Sequence, residues 1–257
     1  METLAEIIAL ADAYEQELPL GGESLPVPQG KEIAAWIDHT LLKPEANAVQ
    51  IRNLCQEAIQ YRFAAVCVNP AFVPLVHGLL ADSKVAVCTV IGFPLGATLP
   101  TYKVFETLAS LQAGAQEIDM VLNIGAMKGE AYGLVWNDIE AVAQVAHHGG
   151  AIVKVILENA LLTRREKILG CLISKAAGAD FVKTSTGFGP GGATRDDVEL
   201  MRRVVGPAMG VKAAGGIRSL EDAEGMIRSG ANRIGASAGV KIVESAVMKL
   251  NSAQPQV

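Results

Sequence analysis

Three lysines stand where apolar residues would be expected. Lys154 lies in AIVKVIL, Lys183 in DFVKTST and Lys212 in GVKAAGG, runs that otherwise read as buried strands. Lysine is normally exposed, and the strands of a parallel sheet are covered on both faces, so even one such residue is uncommon. Any one of them alone could snorkel its ammonium to solvent or pair with an acid for structure. Three on successive strands argue for a shared chemical task. Asp119, in EIDMVLN, interrupts a further apolar run and would be costly to bury unpaired, so it is the expected counter-charge. A plain salt bridge to a lysine is the alternative for it, and would not exclude catalysis.

A free lysine amine, with a pKa of about 10.4, is protonated at neutral pH, and burial and a neighbouring ammonium both favour the neutral form. Two close lysines are therefore expected to activate each other. The neutral amine can attack a carbonyl to give an iminium, whose nitrogen draws electrons from the adjacent carbon–carbon bond and makes it cleavable. That is the chemistry of a Schiff-base aldolase.

Glycine-rich turns follow the same strands. The run STGFGPGGATRDD carries Gly187, Gly189, Gly191 and Gly192, so backbone amides can approach an anion, with Thr186 and Gly187 opening the cradle. KAAGGIRSLEDAEGMI places Gly215 and Gly216 after its strand and Ser219 as a helix N-cap, and NRIGASAGVKIVESAV repeats the device with Gly235 and Ser237. These turns imply a phosphate handle on a small sugar phosphate. The four histidines, His39, His77, His147 and His148, show no HxH or HxxxH spacing, so no metal is expected. No P-loop and no GxGxxG fingerprint is present, so no nucleotide cofactor is expected either.

The elements that must position these residues form a repeat. Three junctions look alike, QAGAQEIDMV, AAGADFVKTS and RSGANRIGAS, each with a glycine to end a helix and an alanine to open a strand. Strand candidates are AWIDHT, FAAVCVN, KVAVCTVIG, EIDMVLN, AIVKVIL, DFVKTST, GVKAAGG and NRIGAS, with one helix after each. Eight βα units predict an α/β fold, a closed (β/α)8 TIM barrel, with its active site at the C-terminal strand ends. A doubly wound open sheet would spend its first strand on a glycine-rich turn, which AWIDHTLLKPEA lacks. Residues 1–30 read as an N-terminal helix and a linker rich in proline and glycine, and residues 31–257 as the barrel. The simplest expectation for the helix is a plug over one barrel end.

Composition agrees with a globular protein. Half of the residues are hydrophobic and 19% are charged, enough apolar material for a large core. A net charge of -5 without a basic stripe argues against nucleic acid as a partner. The run Phe63 to Ala81 is long and uncharged, but Asn69, Pro70, Pro74 and His77 interrupt it, which argues against a membrane span. Glu2, Glu6 and Asp12 stand where a signal peptide needs positive charge, and the four cysteines form no CxxC pair, so a cytoplasmic protein with reduced thiols is expected. A homo-oligomer remains open.

Taken together, EIDMVLNIGAMKG, KVILENALL, DFVKTSTGF and VKAAGGIRS resemble the 2-deoxyribose-5-phosphate aldolases from about Lys31 to about Leu250. The resemblance implies that Lys183 forms the Schiff base, that Lys212 keeps it deprotonated, and that Asp119 and Lys212 move protons. It further implies that Lys154 lines the site and assists through charge. IDHTLL would bring Asp38 and Thr40 near the pocket, and AVCVNP would bring Cys67. Phosphate would rest on Gly187, Gly215, Gly216, Gly235 and Ser237. Some family members have a lysine where this chain has Phe188, and Arg218 is the residue expected to compensate. The family often has a second serine where this chain has Ala238. Two other readings stay open: a Schiff-base aldolase of another phosphorylated sugar, and a barrel that binds a sugar phosphate without catalysis.

Overall fold

In a computed structural model, which describes residues 3–21 and 25–253, the chain closes eight parallel strands into a barrel in sequence order. The predicted (β/α)8 architecture is the observed one. Part of the linker, residues 22–24, lies outside the described residues, as does Glu2. The strands are β1 (Ile37–Leu41), β2 (Ala65–Val68), β3 (Ala86–Ile91), β4 (Glu117–Val121), β5 (Ile152–Ile156), β6 (Phe181–Lys183), β7 (Gly210–Ala214) and β8 (Arg233–Ala236). Seven fall wholly within the runs read from the sequence, and β1 overruns its run by one residue, Leu41. The junction glycines Gly114, Gly178 and Gly230 adopt φ of +106°, +87° and +111°, a conformation that a Cβ would strain. That is why glycine stands at each helix-to-strand turn.

Helices α1 (Leu4–Gln16), α2 (Ala48–Tyr61), α3 (Val73–Leu80), α4 (Pro100–Gln112), α5 (Ile124–Lys128), α6 (Tyr132–His148), α7 (Arg164–Ala176), α8 (Arg195–Val205), α9 (Leu220–Arg228) and α10 (Gly239–Ala253) complete the chain. Start signals are explicit in several of them. Thr163 caps α7 and Ser219 caps α9, each in a reciprocal capping box with the residue three positions on.

The N-terminal helix departs from the simplest expectation. It packs along α7 on the flank of the barrel, burying Ile7 and Ala11, with Arg165 of α7 donating to Asp12 at 2.7 Å. The segment that leads into β1 at the N-terminal barrel end is instead a 3-10 turn, Gly30–Trp36, packed on α10. An amphipathic helix with two buried positions finds its apolar partner on a neighbouring helix, where a flat flank is available.

The lumen of the barrel is divided. On the β1 to β3 side, Leu42, Ala65, Cys67, Cys88 and Val90 form a small apolar cluster of their own, separate from the large core between strands and helices. Charged side chains occupy the side that runs from β4 through β8 to Asp38 of β1. Register sets their heights: Asp119 pairs with Lys154, Lys183 with Lys212, and Lys212 with Arg233.

Candidate active site

Asp119 is the hub. It is fully buried, and its Oδ2 accepts from Lys183 Nζ at 2.8 Å and from Lys212 Nζ at 2.7 Å. Its Oδ1 accepts from Lys154 Nζ at 2.7 Å and from the Cys88 thiol at 3.3 Å. Burial pushes the Asp119 carboxyl up, but Lys154, Lys183 and Lys212 outweigh it and hold the group well below the usual carboxylate range. Asp119 is therefore a firm anion that fixes three amines.

The three amines are not equivalent. Lys212 Nζ also donates to Asp38, and although burial favours its neutral form, Asp119 and Asp38 together raise it above the ordinary lysine range. Lys154 is likewise opposed by burial and raised further by Asp119 and Glu117, whose Oε2 lies 2.6 Å away. Lys183 touches one carboxylate only and lines the mouth cavity, whereas Lys154 and Lys212 do not line it. The sequence suggested mutual activation of a lysine pair. The geometry makes the relation one-sided, because two carboxylates anchor Lys212 as an ammonium beside Lys183.

Asp38 faces the same cluster, its Oδ2 on Lys212 and its Oδ1 2.7 Å from Arg233 Nη1. Burial raises this carboxyl, and Lys212, Lys154 and Arg233 more than reverse the effect. Gly235 leaves room for the Lys212 chain, since a Cβ there would come within 3.2 Å of Lys212 Cε.

Above the amines opens a cavity of about 400 Å³, lined by Lys183 and by Thr40, Thr186, Gly187, Gly215, Gly216, Arg218, Gly235 and Ser237, which the sequence had singled out for the pocket. Thr40 donates its hydroxyl to the Asp38 carbonyl at 2.8 Å. Positive φ at Gly187, Gly215 and Gly216, +85°, +90° and +81°, shapes the turns of the rim.

Several placements differ from the sequence reading. Thr186 turns both donors toward Glu158, its N–H at 3.2 Å and its hydroxyl in a short contact, so neither is free for an anion. Cys67 is fully buried beneath the cavity and does not line it. Lys154 sits below the cavity, locked to two carboxylates. Phe188 packs edge-on against Phe93 with ring centroids 5.3 Å apart, so it serves as a cavity wall where a cation was missing. Lys43, which the sequence reading passed over, lines the same mouth and supplies an exposed cation beside Arg218. Glu117 and Arg233 were also missed. They stand at the first positions of their strands, where a charged residue reads as an exposed strand start.

Thiols of Cys67 and Cys88 and a carboxylate oxygen of Asp119 come within 4.8 Å of one another, a spacing that could hold an ion. Three ammonium groups already share that carboxylate, and a divalent cation there would meet their repulsion at close range.

The chain is thus a closed parallel barrel with paired amines under a glycine-rimmed cavity, an arrangement suited to carbonyl chemistry. A family model described as DeoC/LacD family aldolase matches residues 33–245. A deoxyribose-phosphate aldolase of Caldanaerobacter subterraneus subsp. tengcongensis is 61% identical over 213 residues, covering 82% of this chain and 92% of the relative. Among solved structures, one from Coccidioides immitis, provisionally described as a deoxyribose-phosphate aldolase, superposes with a TM-score of 0.88 at 43% identity. It covers 95% of this chain and 98% of its own. A deoxyribose phosphate aldolase from Aeropyrum pernix, described as having a unique tetrameric structure, gives 0.79 at 35% identity, with 95% and 98% covered. The chain belongs to the DeoC/LacD family of aldolases, and is thus a carbon–carbon lyase.

Proposed function

We propose that this aldolase reversibly cleaves 2-deoxy-D-ribose 5-phosphate to D-glyceraldehyde 3-phosphate and acetaldehyde through a Schiff base on Lys183. The observation that carries the reading is the asymmetry of the lysines: Lys183 has a single carboxylate partner and faces the cavity, while Lys212 is pinned as an ammonium by Asp119 and Asp38. The names of the relatives support the substrate.

The neutral Lys183 amine adds to the C1 aldehyde, giving a carbinolamine that loses water to form the iminium. A base removes the proton of the C3 hydroxyl, the C2–C3 bond breaks, and its electron pair passes to C2 and toward the iminium nitrogen as an enamine. Glyceraldehyde phosphate leaves with C3 as its new aldehyde carbon. Protonation of C2 and addition of water then release acetaldehyde and the free amine. Asp119 lies within hydrogen-bond reach of both Lys183 and Lys212, so its carboxylate can relay these protons between the two amines. The phosphate rests among Gly187, Gly215, Gly216, Gly235 and Ser237, with Arg218 and Lys43 adding positive charge at the rim.

Residues 31–257 are the catalytic barrel in this reading and residues 1–30 an extension of it. No helix of the described residues is long and apolar enough to cross a membrane. We place the reaction in the cytoplasm, in deoxyribose phosphate catabolism, as fits a phosphorylated substrate. The tetrameric Aeropyrum pernix relative supports a homo-oligomer.

Borohydride reduction in the presence of deoxyribose phosphate or acetaldehyde, followed by peptide mass measurement, tests the mechanism. An adduct on the peptide containing Lys183 is expected. Reduction that leaves every lysine unmodified would overturn it.

A further inference from the structure

Two charged residues deeper in the lumen have no step in the reaction above. Glu117 and Arg233 are the first residues of β4 and β8, at the N-terminal end of the barrel. Arg233 Nη1 lies 2.7 Å from Asp38 Oδ1 and 3.3 Å from Glu117 Oε1. Glu117 in turn holds Lys154 at 2.6 Å. The two residues therefore extend the lysine cluster through the lumen without touching the cavity.

The cluster as a whole has an uneven count. Four cations, Lys154, Lys183, Lys212 and Arg233, meet three carboxylates, Asp38, Glu117 and Asp119. With all its lysines protonated it carries one surplus positive charge among buried side chains, and the loss of one proton makes it neutral. A guanidinium keeps its proton. Lys154 and Lys212 each touch two carboxylates at short range, whereas Lys183 touches one and is the lysine with the fewest ionic anchors. The other ionisable groups near Lys183 leave the count unchanged. Cys67 and Cys88 face it from β2 and β3: burial pushes the Cys88 thiol well up, while the hydrogen bond with Cys88 lowers Cys67, which makes none of the ion pairs of the cluster. Glu158 is turned to Thr186, and Lys43 and Arg218 are exposed at the mouth, where solvent screens them.

We propose that Glu117 and Arg233 are positioning residues whose opposite charges set the charge balance of the lumen, and through it the pH at which Lys183 is free to form the imine. The inference rests on the Schiff-base reading. Its signs follow from the count. Glu117→Gln leaves two surplus positive charges, so the proton leaves at lower pH. Arg233→Gln leaves none, so the ammonium persists to higher pH.

The test is the pH dependence of borohydride trapping by acetaldehyde in the full chain. The midpoint is expected to fall by about one pH unit in Glu117→Gln and to rise by about one in Arg233→Gln, the scale of one unit charge in a buried cluster. Arg233→Lys should restore the original midpoint, and the double variant Glu117→Gln/Arg233→Gln should return close to it. A purely structural role would move both single variants in one direction or neither. Trapping at Lys183 with midpoints that stay put, or that shift together, overturns the inference and leaves the Schiff-base reading intact. Absence of any adduct in the unaltered protein overturns both. Should Arg233→Gln fail to fold, the isosteric Glu117→Gln, which keeps a hydrogen-bond acceptor for Lys154, decides alone by the sign of its shift.

Discussion

Replacing Lys183 by methionine should abolish imine formation and make the protein more stable. In its protonated form Lys183 is attracted to Asp119 at 2.8 Å by about 6 kcal/mol at an effective dielectric of about 20. Lys212 sits 2.7 Å from the same oxygen, so the two ammonium nitrogens are at most roughly 5.5 Å apart and repel by about 3 kcal/mol. Lys154, on the other oxygen of that carboxylate, adds a repulsion of similar size. Attraction and repulsion nearly cancel, leaving the desolvation of a side chain that is only 2% exposed. Asp119 keeps Lys154 and Lys212 in the variant, so no buried charge is orphaned. An apolar chain of similar length should therefore raise stability by ~1–3 kcal/mol. Urea denaturation followed by circular dichroism at neutral pH measures this directly. A loss of about 3–5 kcal/mol, the usual result of breaking a needed buried pair, would refute the reasoning.

Other substitutions separate the remaining roles. Lys212→Ala removes the ammonium beside Lys183, so the acid limb of the activity profile should move to higher pH and turnover should fall by about 10²-fold or more. An unchanged profile with full activity would exclude Lys212 from the mechanism. Arg218→Ala and Lys43→Ala should each raise KM for the phosphorylated substrate by up to about tenfold with little change in kcat, and leave activity on unphosphorylated deoxyribose unaltered. Equal losses on both sugars would contradict a phosphate role. Burial lowers His39, whose Nε2 meets Glu57 at 2.6 Å, so the folded state holds it neutral. The unfolded chain takes up that proton near pH 6.5, so stability should decline as pH falls below about 6.5. His39→Gln should flatten that part of a melting-temperature profile, and an identical slope would refute the assignment. Deleting residues 1–30 should lower stability, since α7 loses the apolar cover that Ile7 and Ala11 supply, while kcat stays near its original value. Loss of turnover in a folded deletion variant would give the extension a catalytic part.

Much of the barrel was legible because its signals are local. Apolar strand runs, the N-cap at Ser219, and glycines with left-handed φ at Gly114, Gly178 and Gly230 each act within a few residues. The three lysines and Asp119 stood out for the same reason, as polar residues in apolar runs. What escaped was long-range pairing. Arg233 reaches Asp38 across 195 positions of sequence and Glu117 across 116, and neither charge disturbs a strand pattern from its first position. The engagement of Thr186 by Glu158 was hidden in the same way, since the threonine sits in a glycine-rich turn that reads as open backbone. The flank packing of α1 depended on which helix offered an apolar surface, and its own periodicity does not name a partner.

Register is where local pattern becomes chemistry. Lys183 and Lys212 are direct partners in the β6–β7 pairing, and Val182 and Val211, their equally paired neighbours, face outward into the core between strands and helices with no exposure. A slip of one residue in either strand would turn a lysine into that apolar core and a valine into the lumen. The misplaced ammonium would then face α7 and α8 with no carboxylate to meet it, a cost of several kcal/mol that the correct register avoids. Packing of the two valines thus holds the amines at one height, where both can reach the same oxygen of Asp119. The outward apolar residues select the inward arrangement. A substitution such as Val211→Ala, far from any substrate atom, should loosen the site before it unfolds the barrel, lowering turnover in a protein that still melts cooperatively.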